Sequence, residues 1–354
     1  MTTRIAIIGL GKAARQIHIP ACRKVPDLLI VGGFDAAQPR GTFDFPLFDS
    51  MDELLTSTRP DIVTIATPTA THYPLARQLI ERRINVFCEK PFTESLPQAE
   101  ELVRLARANG TRLAVNNEYR FMACHRAARE RIGQSDFGEL RFVHMHQCFR
   151  TSEETETGWR GGDSERTCKE FGTHVFDLCR FFFAAEPLRL RARMPRPGSP
   201  DGPDLLNLID LQFPGDRWAR ITLDRLTRGR HRYLDIRLDG TAGTIETEIG
   251  GGISVSAGIR GATRRPYLEA DVSLGARAFL FHGEHKRKLA ADGLDLFAAA
   301  TARLLGGYVE ALRQGTEPPC HGADNLRTFA LMRAAYESAA SDRDIELIAE
   351  RQAA

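Results

Sequence analysis

The chain has 354 residues, a formal net charge of +2 and a hydrophobic fraction of 42%. This length suffices for two domains with hydrophobic cores, and the near-neutral charge predicts neither a nucleic-acid nor a membrane partner. Apolar runs stay shorter than the roughly 18 residues of a membrane span, and the N-terminus enters a strand without a signal-peptide pattern. The cysteines are scattered without a CxxC pair, which favours buried, reduced thiols and a cytoplasmic location.

Strands alternate with helices along the first 121 residues, which predicts a Rossmann-type, doubly wound parallel sheet in an α/β protein. The predicted strands are residues 4–9, 28–35, 62–67, 85–90 and 112–117. Helical periodicity extends from the first turn to about residue 25 and returns in residues 72–82 and 95–109. We therefore expect a dinucleotide-binding domain over residues 1–121.

The periodicity changes after residue 121, which predicts a second domain over residues 122–354. The predicted elements are a helix (123–132), a strand (140–149), a polar loop (150–169), a helix (170–184) and several strands between 188 and 255. This order favours an α+β domain with a mostly antiparallel sheet. Two closing helices, residues 294–314 and 323–341, are expected to pack back toward the Rossmann domain.

The loop after the first strand has the pattern of a dinucleotide-binding turn. Its residues are Gly9, Leu10, Gly11, Lys12, Ala13 and Ala14. Gly9 permits the tight turn, Gly11 lets phosphates approach the backbone, and the small Ala14 lets helix and strand pack closely. The second strand ends in Asp35, where a carboxylate would bond an adenosine ribose. The alternative is a glycine turn and a strand-capping aspartate without a nucleotide.

Two further motifs follow predicted strands. Thr67, Pro68 and His72 come after the third strand, and the fourth strand ends in Glu89-Lys90-Pro91. A lysine held there would lie where a nicotinamide ring is expected, whereas the alternative is a strand-end lysine in solvent. Together with the glycine turn, the order and spacing of these motifs resemble the glucose-fructose oxidoreductase / inositol dehydrogenase / MocA (Gfo/Idh/MocA) family.

The resemblance extends downstream to a helix in the second domain. Glu170-Phe171-Gly172-Thr173-His174 is similar to the acid-x-glycine-x-histidine motif of that family. Glu170, His174 and Asp177 are spaced four and three apart, so they share one helix face that could meet a cleft. The alternative is a surface helix with an exposed acid and histidine. The family usually has aspartate at the acid position, so the longer Glu170 either orients His174 or touches the substrate.

The resemblance implies which residues meet the cofactor and which do the chemistry. The cofactor would be NAD, with NADP as an alternative, held by the glycine turn, Asp35, Thr67, Pro68, His72, Glu89 and Lys90. Lys90 would bond the reacting oxygen and His174 would take or give the proton, with Glu170 and Asp177 beside them. Asp35 should disfavour a 2′-phosphate, although Arg40 could soften that preference.

The implied reaction is hydride transfer between the nicotinamide and a secondary hydroxyl or ketone of a sugar, cyclitol, amino sugar or related polyol. The resemblance also implies a homo-oligomer, because the open sheet of the family commonly packs against a second copy. Two alternatives remain open. One is an enzyme with tightly bound NAD that uses transient oxidation for elimination or glycoside cleavage, and the other is a dinucleotide-binding sensor without turnover.

Three remaining groups of polar residues carry weaker hypotheses. His144 and His146 alternate on one strand, but two histidines without a further convergent ligand predict no metal site. The acidic run at residues 153–156 would favour a cationic substrate group, such as an amine, if it points inward, and is otherwise a solvated loop. The basic residues at 264–265 and 286–288 are too few and too scattered for a nucleic-acid footprint.

Overall fold

The computed structural model of the chain describes residues 2–37, 42–149, 164–229, 232–250, 252–260 and 265–347. Its contacts divide the chain into two compact units. The first unit combines Met1–Phe121 with Phe297–Ala330, and the second combines Met122–Leu296 with Leu331–Ala354. The first unit therefore includes a segment from late in the chain in addition to its 121 N-terminal residues. Arg40, the acidic run at 153–156 and Arg264 lie outside the described residues.

The first unit is built on a parallel sheet of five strands, which confirms the predicted fold class. The strands are β1 (Thr3–Ile8), β2 (Leu28–Phe34), β3 (Ile62–Ile65), β4 (Asn85–Cys88) and β5 (Leu113–Val115). They lie in the order β2-β1-β3-β4-β5, so the strand order reverses between β1 and β3. β3 and β5 are buried throughout, as expected for apolar runs in a parallel sheet that is covered on both faces.

Helices connect these strands. They are α1 (Ile19–Lys24), α2 (Met51–Thr58), α3 (His72–Glu81) and α4 (Leu96–Asn109), with short 3₁₀ turns at Thr69–Thr71 and Glu118–Phe121. The predicted first helix is in two parts, because a π-helical turn at Ala14–His18 precedes α1. The helix α2 was not among the predicted elements. The five strands, α3 and α4 begin and end within about two residues of the predicted limits, a tolerance normal for helix and strand ends.

The second unit is built on a mixed sheet of nine strands. They are β6 (Leu140–Cys148), β7 (Arg189–Arg193), β8 (Leu206–Phe213), β9 (Arg217–Asp224), β10 (Arg232–Gly240), β11 (Thr244–Ile249), β14 (Ala276–His282), β15 (His285–Asp292) and β16 (Ile345–Glu346), with β12 (Gly252–Arg260) and β13 (Arg265–Ser273) forming a separate ribbon. Their order is β15-β14-β11-β10-β6-β9-β8-β7-β16, and only β6 and β9 pair in parallel. The mostly antiparallel prediction is confirmed, but the strands continue well beyond residue 255.

The remaining helices are α5 (Ala123–Arg131), α6 (Thr173–Phe183), α7 (Leu296–Gln314) and α8 (Gly322–Ser341), and a second π-helical turn, Cys168–Gly172, leads into α6. Nearly all of α7 and the first part of α8 fall in the first unit. Among the helices that the structure describes, none has the length and apolar composition needed to cross a membrane. All seven cysteines are free and buried, which confirms the predicted thiols.

Candidate functional site

The carboxyl ends of the parallel strands form one edge of the first sheet. Ile8 pairs with both Phe34 and Ile65, and Ile65 pairs with Cys88, so these strands end level with one another. The residues that follow them therefore lie along the same edge: Gly9, Asp35, Ala66 and Glu89. The reversal of strand order between β1 and β3 falls within this row, which is where open α/β sheets bind ligands.

The two glycines of the first turn have different roles. Gly9 has φ +88°, and a Cβ there would lie 2.7 Å from both the Ala66 carbonyl oxygen and the Thr67 Cγ2. Only glycine fits both this conformation and this close approach. A Cβ on Gly11 would meet no heavy atom within 4 Å. The protein itself does not require glycine at position 11, so the bare backbone leaves open space at a helix start, which fits a bound pyrophosphate.

Asp35 is bound to the glycine turn. Its Oδ2 accepts a hydrogen bond from the Leu10 amide at 2.6 Å, and its Oδ1 accepts one from the Ala37 amide at 2.9 Å. Each carboxylate oxygen has a second lone pair, so these bonds leave acceptor capacity for ribose hydroxyls. The carboxylate therefore both holds the turn and stands where the sequence predicts contact with the adenosine ribose.

His72 links the loop after β3 to the loop after β4. Its Nδ1 lies 2.8 Å from the Pro91 carbonyl oxygen, and its Nε2 lies 2.8 Å from the Thr67 carbonyl oxygen. The residue is 1% exposed, and burial lowers the pKa of the imidazole, although the two carbonyls oppose this shift. Both ring nitrogens face the protein, so His72 supports the loop that carries Thr67 and Pro68. This arrangement favours an indirect role over the predicted contact with the cofactor.

Glu89 collects three hydrogen bonds beside Lys90. Its Oε1 lies 2.7 Å from His18 Nε2 and accepts from Asn116 Nδ2 at 2.8 Å, while Oε2 accepts from the Lys90 amide at 3.1 Å. Burial alone would raise the pKa of Glu89, but His18, the Lys90 charge and Asn116 outweigh it and lower the pKa to about 2. The carboxylate is therefore ionised at neutral pH. Lys90 itself is partly exposed, and the Lys90–Pro91 peptide bond is cis.

His18 and Asn116 were not among the predicted site residues, although the sequence contains signals for both. His18 is nine residues beyond Gly9 in the first helical segment, and Asn116 is the first polar residue after β5. The backbone N–H of Asn116 donates to the Cys88 carbonyl oxygen at 2.8 Å, so Asn116 joins the residues along the carboxyl edge of the sheet. A polar residue at that edge is a site candidate in any parallel α/β sheet.

In the second unit, the predicted residues lie on a buried helix and on the turn before it. Glu170 is on the π-helical turn, where its side chain is 21% exposed, and His174 and Asp177 are on α6. His174 is 2% exposed and Asp177 is 1% exposed, so the surface-helix alternative is wrong. The face that His174 and Asp177 share is therefore not open to solvent. Almost every residue of α6 is buried, and the buried residues include the polar side formed by Thr173, Asp177 and Arg180.

Glu170 forms an ion pair with a buried arginine that the sequence did not point to. Arg225 Nη2 donates to Glu170 Oε2 at 2.9 Å, and the guanidinium carbon lies 4.7 Å from the ring centre of Phe149 and 4.4 Å from that of Phe171. Two aromatic rings and one carboxylate thus hold this guanidinium. Arg225 directly follows β9, 55 residues after Glu170, and its partner could not be inferred from local spacing.

Asp204 anchors the start of the same helical segment. Its carboxylate is fully buried and accepts hydrogen bonds from the amides of Arg166, Thr167 (3.1 Å) and Cys168 (3.0 Å). Two more donors reach it, Asn207 Nδ2 at 2.9 Å and the Tyr336 hydroxyl at 3.2 Å. An anion at a helix start satisfies the free amides and interacts favourably with the helix dipole. Asp204 thus fixes where the helix that carries His174 begins.

A separate concavity of about 440 Å³ lies on the nine-stranded sheet, and its lining includes His144 and His146 together with Arg237, Glu248 and Lys286. None of the predicted catalytic or cofactor residues lines it. Among the residues that the structure describes, no three His, Cys, Asp or Glu side chains are grouped to hold a metal ion. The homo-oligomer stays a prediction.

Family models match both units. Residues 3–117 match the model described as oxidoreductase family, NAD-binding Rossmann fold, and residues 125–246 match the Gfo/Idh/MocA C-terminal domain. The chain belongs to the Gfo/Idh/MocA family. The resemblance seen in the motifs is therefore confirmed, and the protein is an oxidoreductase with an NAD-binding Rossmann domain.

Similar proteins match along nearly the whole chain. D-apiose dehydrogenase from Paraburkholderia graminis is 25% identical over 97% of this chain and 89% of its own length. Inositol 2-dehydrogenase from Rhizobium meliloti is 22% identical over 98% of this chain and 100% of its own length. An Agrobacterium radiobacter oxidoreductase, solved with NAD⁺, L-tartaric acid and magnesium, superimposes with a TM-score of 0.79 at 21% identity, covering 98% of both chains. This last similarity shows the shared fold.

Proposed function

We propose that this enzyme transfers a hydride between NAD and a secondary hydroxyl, or the matching ketone, of a sugar, cyclitol, amino sugar or related polyol. The observation that carries the proposal is Lys90, which follows β4 at the same sheet edge as the glycine turn and is held by an ionised Glu89. The relatives named for D-apiose and inositol support a polyol as the substrate class.

The residues divide into those that hold the dinucleotide and those that handle the proton. The glycine turn and Asp35 hold the dinucleotide, which when bound provides the hydride acceptor or donor. Lys90 bonds the reacting oxygen, because an ammonium group stabilises a developing alkoxide. His174 takes or gives the proton, because imidazole is the side chain suited to this transfer near neutral pH. Asp177 stays a predicted neighbour of that step.

Incubation of the purified protein with NAD and a panel of polyols, amino sugars and keto sugars tests the proposal directly. Steady accumulation of NADH with one member of the panel is the expected result. Cofactor that copurifies with the protein, together with product formation without net NADH, would favour the tightly bound alternative. No turnover in either direction with any member would favour the sensor, and the proposal would then be wrong.

The first prediction concerns cofactor choice. We expect tighter binding of NAD than of NADP, because the Asp35 carboxylate accepts bonds from ribose hydroxyls and repels a 2′-phosphate. Asp35→Asn removes the charge and keeps an oxygen for the Leu10 amide, so it should improve NADP binding by about tenfold. Fluorescence titration with both cofactors measures the difference between their dissociation constants. Asp35→Ala should also reduce this difference. Tighter NADP binding by the unchanged protein would contradict the prediction.

The second prediction concerns the Glu170–Arg225 pair. Aspartate at position 170 is one methylene shorter, so Glu170→Asp should pull the carboxylate away from the Arg225 guanidinium. If this carboxylate contacts the substrate, KM should rise about tenfold with little change in kcat, because ground-state and transition-state contacts are lost together. Arg225→Lys keeps the charge but loses the planar group between two rings, so it should have the same effect.

Steady-state kinetics of both variants over a range of pH distinguishes the two roles open to Glu170. A fall in kcat with a shifted pH profile and an unchanged KM would mean that Glu170 orients His174 instead. Arg220→Lys is the matched control, because Arg220 forms an exposed ion pair with Asp210 on the same sheet. This control should leave kcat and KM unchanged.

A further inference from the structure

A buried histidine connects the helical segment after the glycine turn to the backbone of Lys90. His18 ends the π-helical turn, and its side chain is fully buried with its ring packed edge-on against Phe87. A carboxylate only accepts, so the 2.7 Å contact with Glu89 places a hydrogen on His18 Nε2. In the part of the chain that the structure describes, the other ring nitrogen has no hydrogen-bond partner. The bond to Glu89 is thus what directs this ring.

The second donor to Glu89 Oε1 is the side-chain amide of Asn116, which is itself held by a further hydrogen bond. Asn116 Nδ2 reaches Glu89 Oε1 at 2.8 Å, and the hydroxyl of the fully buried Thr301 donates to Asn116 Oδ1 at 3.2 Å. The hydroxyl contact fixes which end of the amide faces Glu89. Two buried side chains from different helices and loops therefore hold one carboxylate oxygen.

The other carboxylate oxygen acts on Lys90. Glu89 Oε2 accepts the Lys90 amide hydrogen at 3.1 Å, so the plane of the carboxylate is coupled to the Lys90 backbone. With Oε1 held by two donors, the carboxylate group has little freedom to rotate about its bond to the side chain. Oε2 therefore stays within hydrogen-bond distance of the Lys90 amide. If His18 no longer donates, one of the two bonds that hold Oε1 is lost, and a buried charge loses a partner.

We propose that His18 is a positioning residue for Lys90: it orients Glu89, and Glu89 holds the Lys90 amide. The inference rests on the proposed function for the chemical role of Lys90. Because His18 lies nine residues after Gly9, the segment that begins at the dinucleotide turn also sets the backbone of the reactive lysine. Small displacements of a reacting group cost large factors in rate, so this bond should matter for turnover more than for binding.

A matched pair of substitutions tests the proposal. The amide nitrogen of a glutamine reaches roughly the place of a histidine Nε2, whereas that of an asparagine reaches roughly the place of Nδ1. His18→Gln should therefore keep the bond to Glu89, and His18→Asn should lose it. We expect hydrogen exchange of the Lys90 amide, followed by NMR on the full chain, to be at least about tenfold faster in His18→Asn and within about threefold of the unchanged protein in His18→Gln.

Kinetics provides the second readout. His18→Asn should lower kcat by about tenfold to a hundredfold while NAD affinity and KM change less than about threefold, and His18→Gln should retain most of kcat. In a Lys90→Met background, His18→Asn should cause little further loss. Equal exchange in the two His18 variants, or a full additional loss in the Lys90→Met background, would overturn the proposal. The expected exchange pattern without turnover of any polyol would support the positioning of Lys90 and refute the proposed function instead.

Discussion

We expect Lys90→Met and His174→Ala each to lower kcat by about a hundredfold to ten-thousandfold while NAD affinity stays nearly unchanged. In the proposed reaction, Lys90→Met removes the ammonium group that would stabilise the developing alkoxide, and His174→Ala removes the imidazole that would take the proton. Lys90 is only one of the residues expected to contact the cofactor, and both changes leave the glycine turn and Asp35 intact, so dinucleotide binding should survive both changes. Stopped-flow or steady-state kinetics and a fluorescence titration of NAD measure the two quantities separately.

The double variant decides whether the two groups act on one proton. If they do, the combined loss should be much smaller than the product of the single losses, because removing either one already disables the transfer. A combined loss equal to that product would mean that the two groups act independently, and the shared role would be wrong. Lys24→Met and His282→Ala are suitable controls, since both residues are exposed and lie outside the candidate site. Neither control should change kcat.

The second large effect is on stability. Asp204→Ala should lower the free energy of unfolding of the second unit by about 3–5 kcal/mol, because it leaves buried helix-start amides and the Tyr336 hydroxyl without an acceptor. Asp204→Asn keeps one oxygen and should cost about half as much. Scanning calorimetry and urea unfolding of the cofactor-free protein measure the loss.

The adjacent loop offers a matched control for this stability effect. Asp201 is exposed and only three residues from Asp204, so Asp201→Ala should change stability by less than about 0.5 kcal/mol. Similar unfolding midpoints for Asp204→Ala and Asp201→Ala would show that the buried carboxylate does not hold the helix start. Because the segment it caps carries His174, we also expect activity of Asp204→Ala to fall at temperatures below its unfolding midpoint.

The sheet of the first unit could be predicted from the sequence because its signals are local. Four of its five strands are short, mainly apolar runs followed directly by a glycine or a polar residue, as in Gly9 after β1 and Glu89 after β4. Parallel strands end at a common edge, so knowing the strands was enough to bring Gly9, Asp35 and Glu89 to one edge.

The strands beyond residue 255 gave weaker signals. β15 begins with His285 and three consecutive basic residues, so it lacks a clear alternation of polar and apolar positions.

The supporting contacts of the candidate site could not be predicted because they are long-range. Glu170 meets Arg225 across 55 residues, and Asp204 meets the Cys168 amide across 36. Such pairs depend on the register and packing of the second sheet, which local periodicity does not specify. The burial of the polar side of α6 was not within reach of the sequence. Phe176, Phe182 and Phe183 lie on one half of the helix, whereas Thr173, Asp177 and Arg180 form a polar side that local periodicity alone would place in solvent.

The π-helical turn at Ala14–His18 has a consequence for the spacing of the first motif. The Ile19 amide bonds the Ala14 carbonyl, five residues back, so this turn accommodates one more residue than an α-helical turn would. A regular α-helix through the same residues would advance by about 100° for that extra residue and rotate the buried Ala21 and Cys22 away from the core. Because the turn is wider, the start of the helix can face the ligand while the residues after the turn face the core. If one residue of the Ala14–His18 turn were deleted, the helix could keep either its start facing the dinucleotide or its later residues facing the core, but not both.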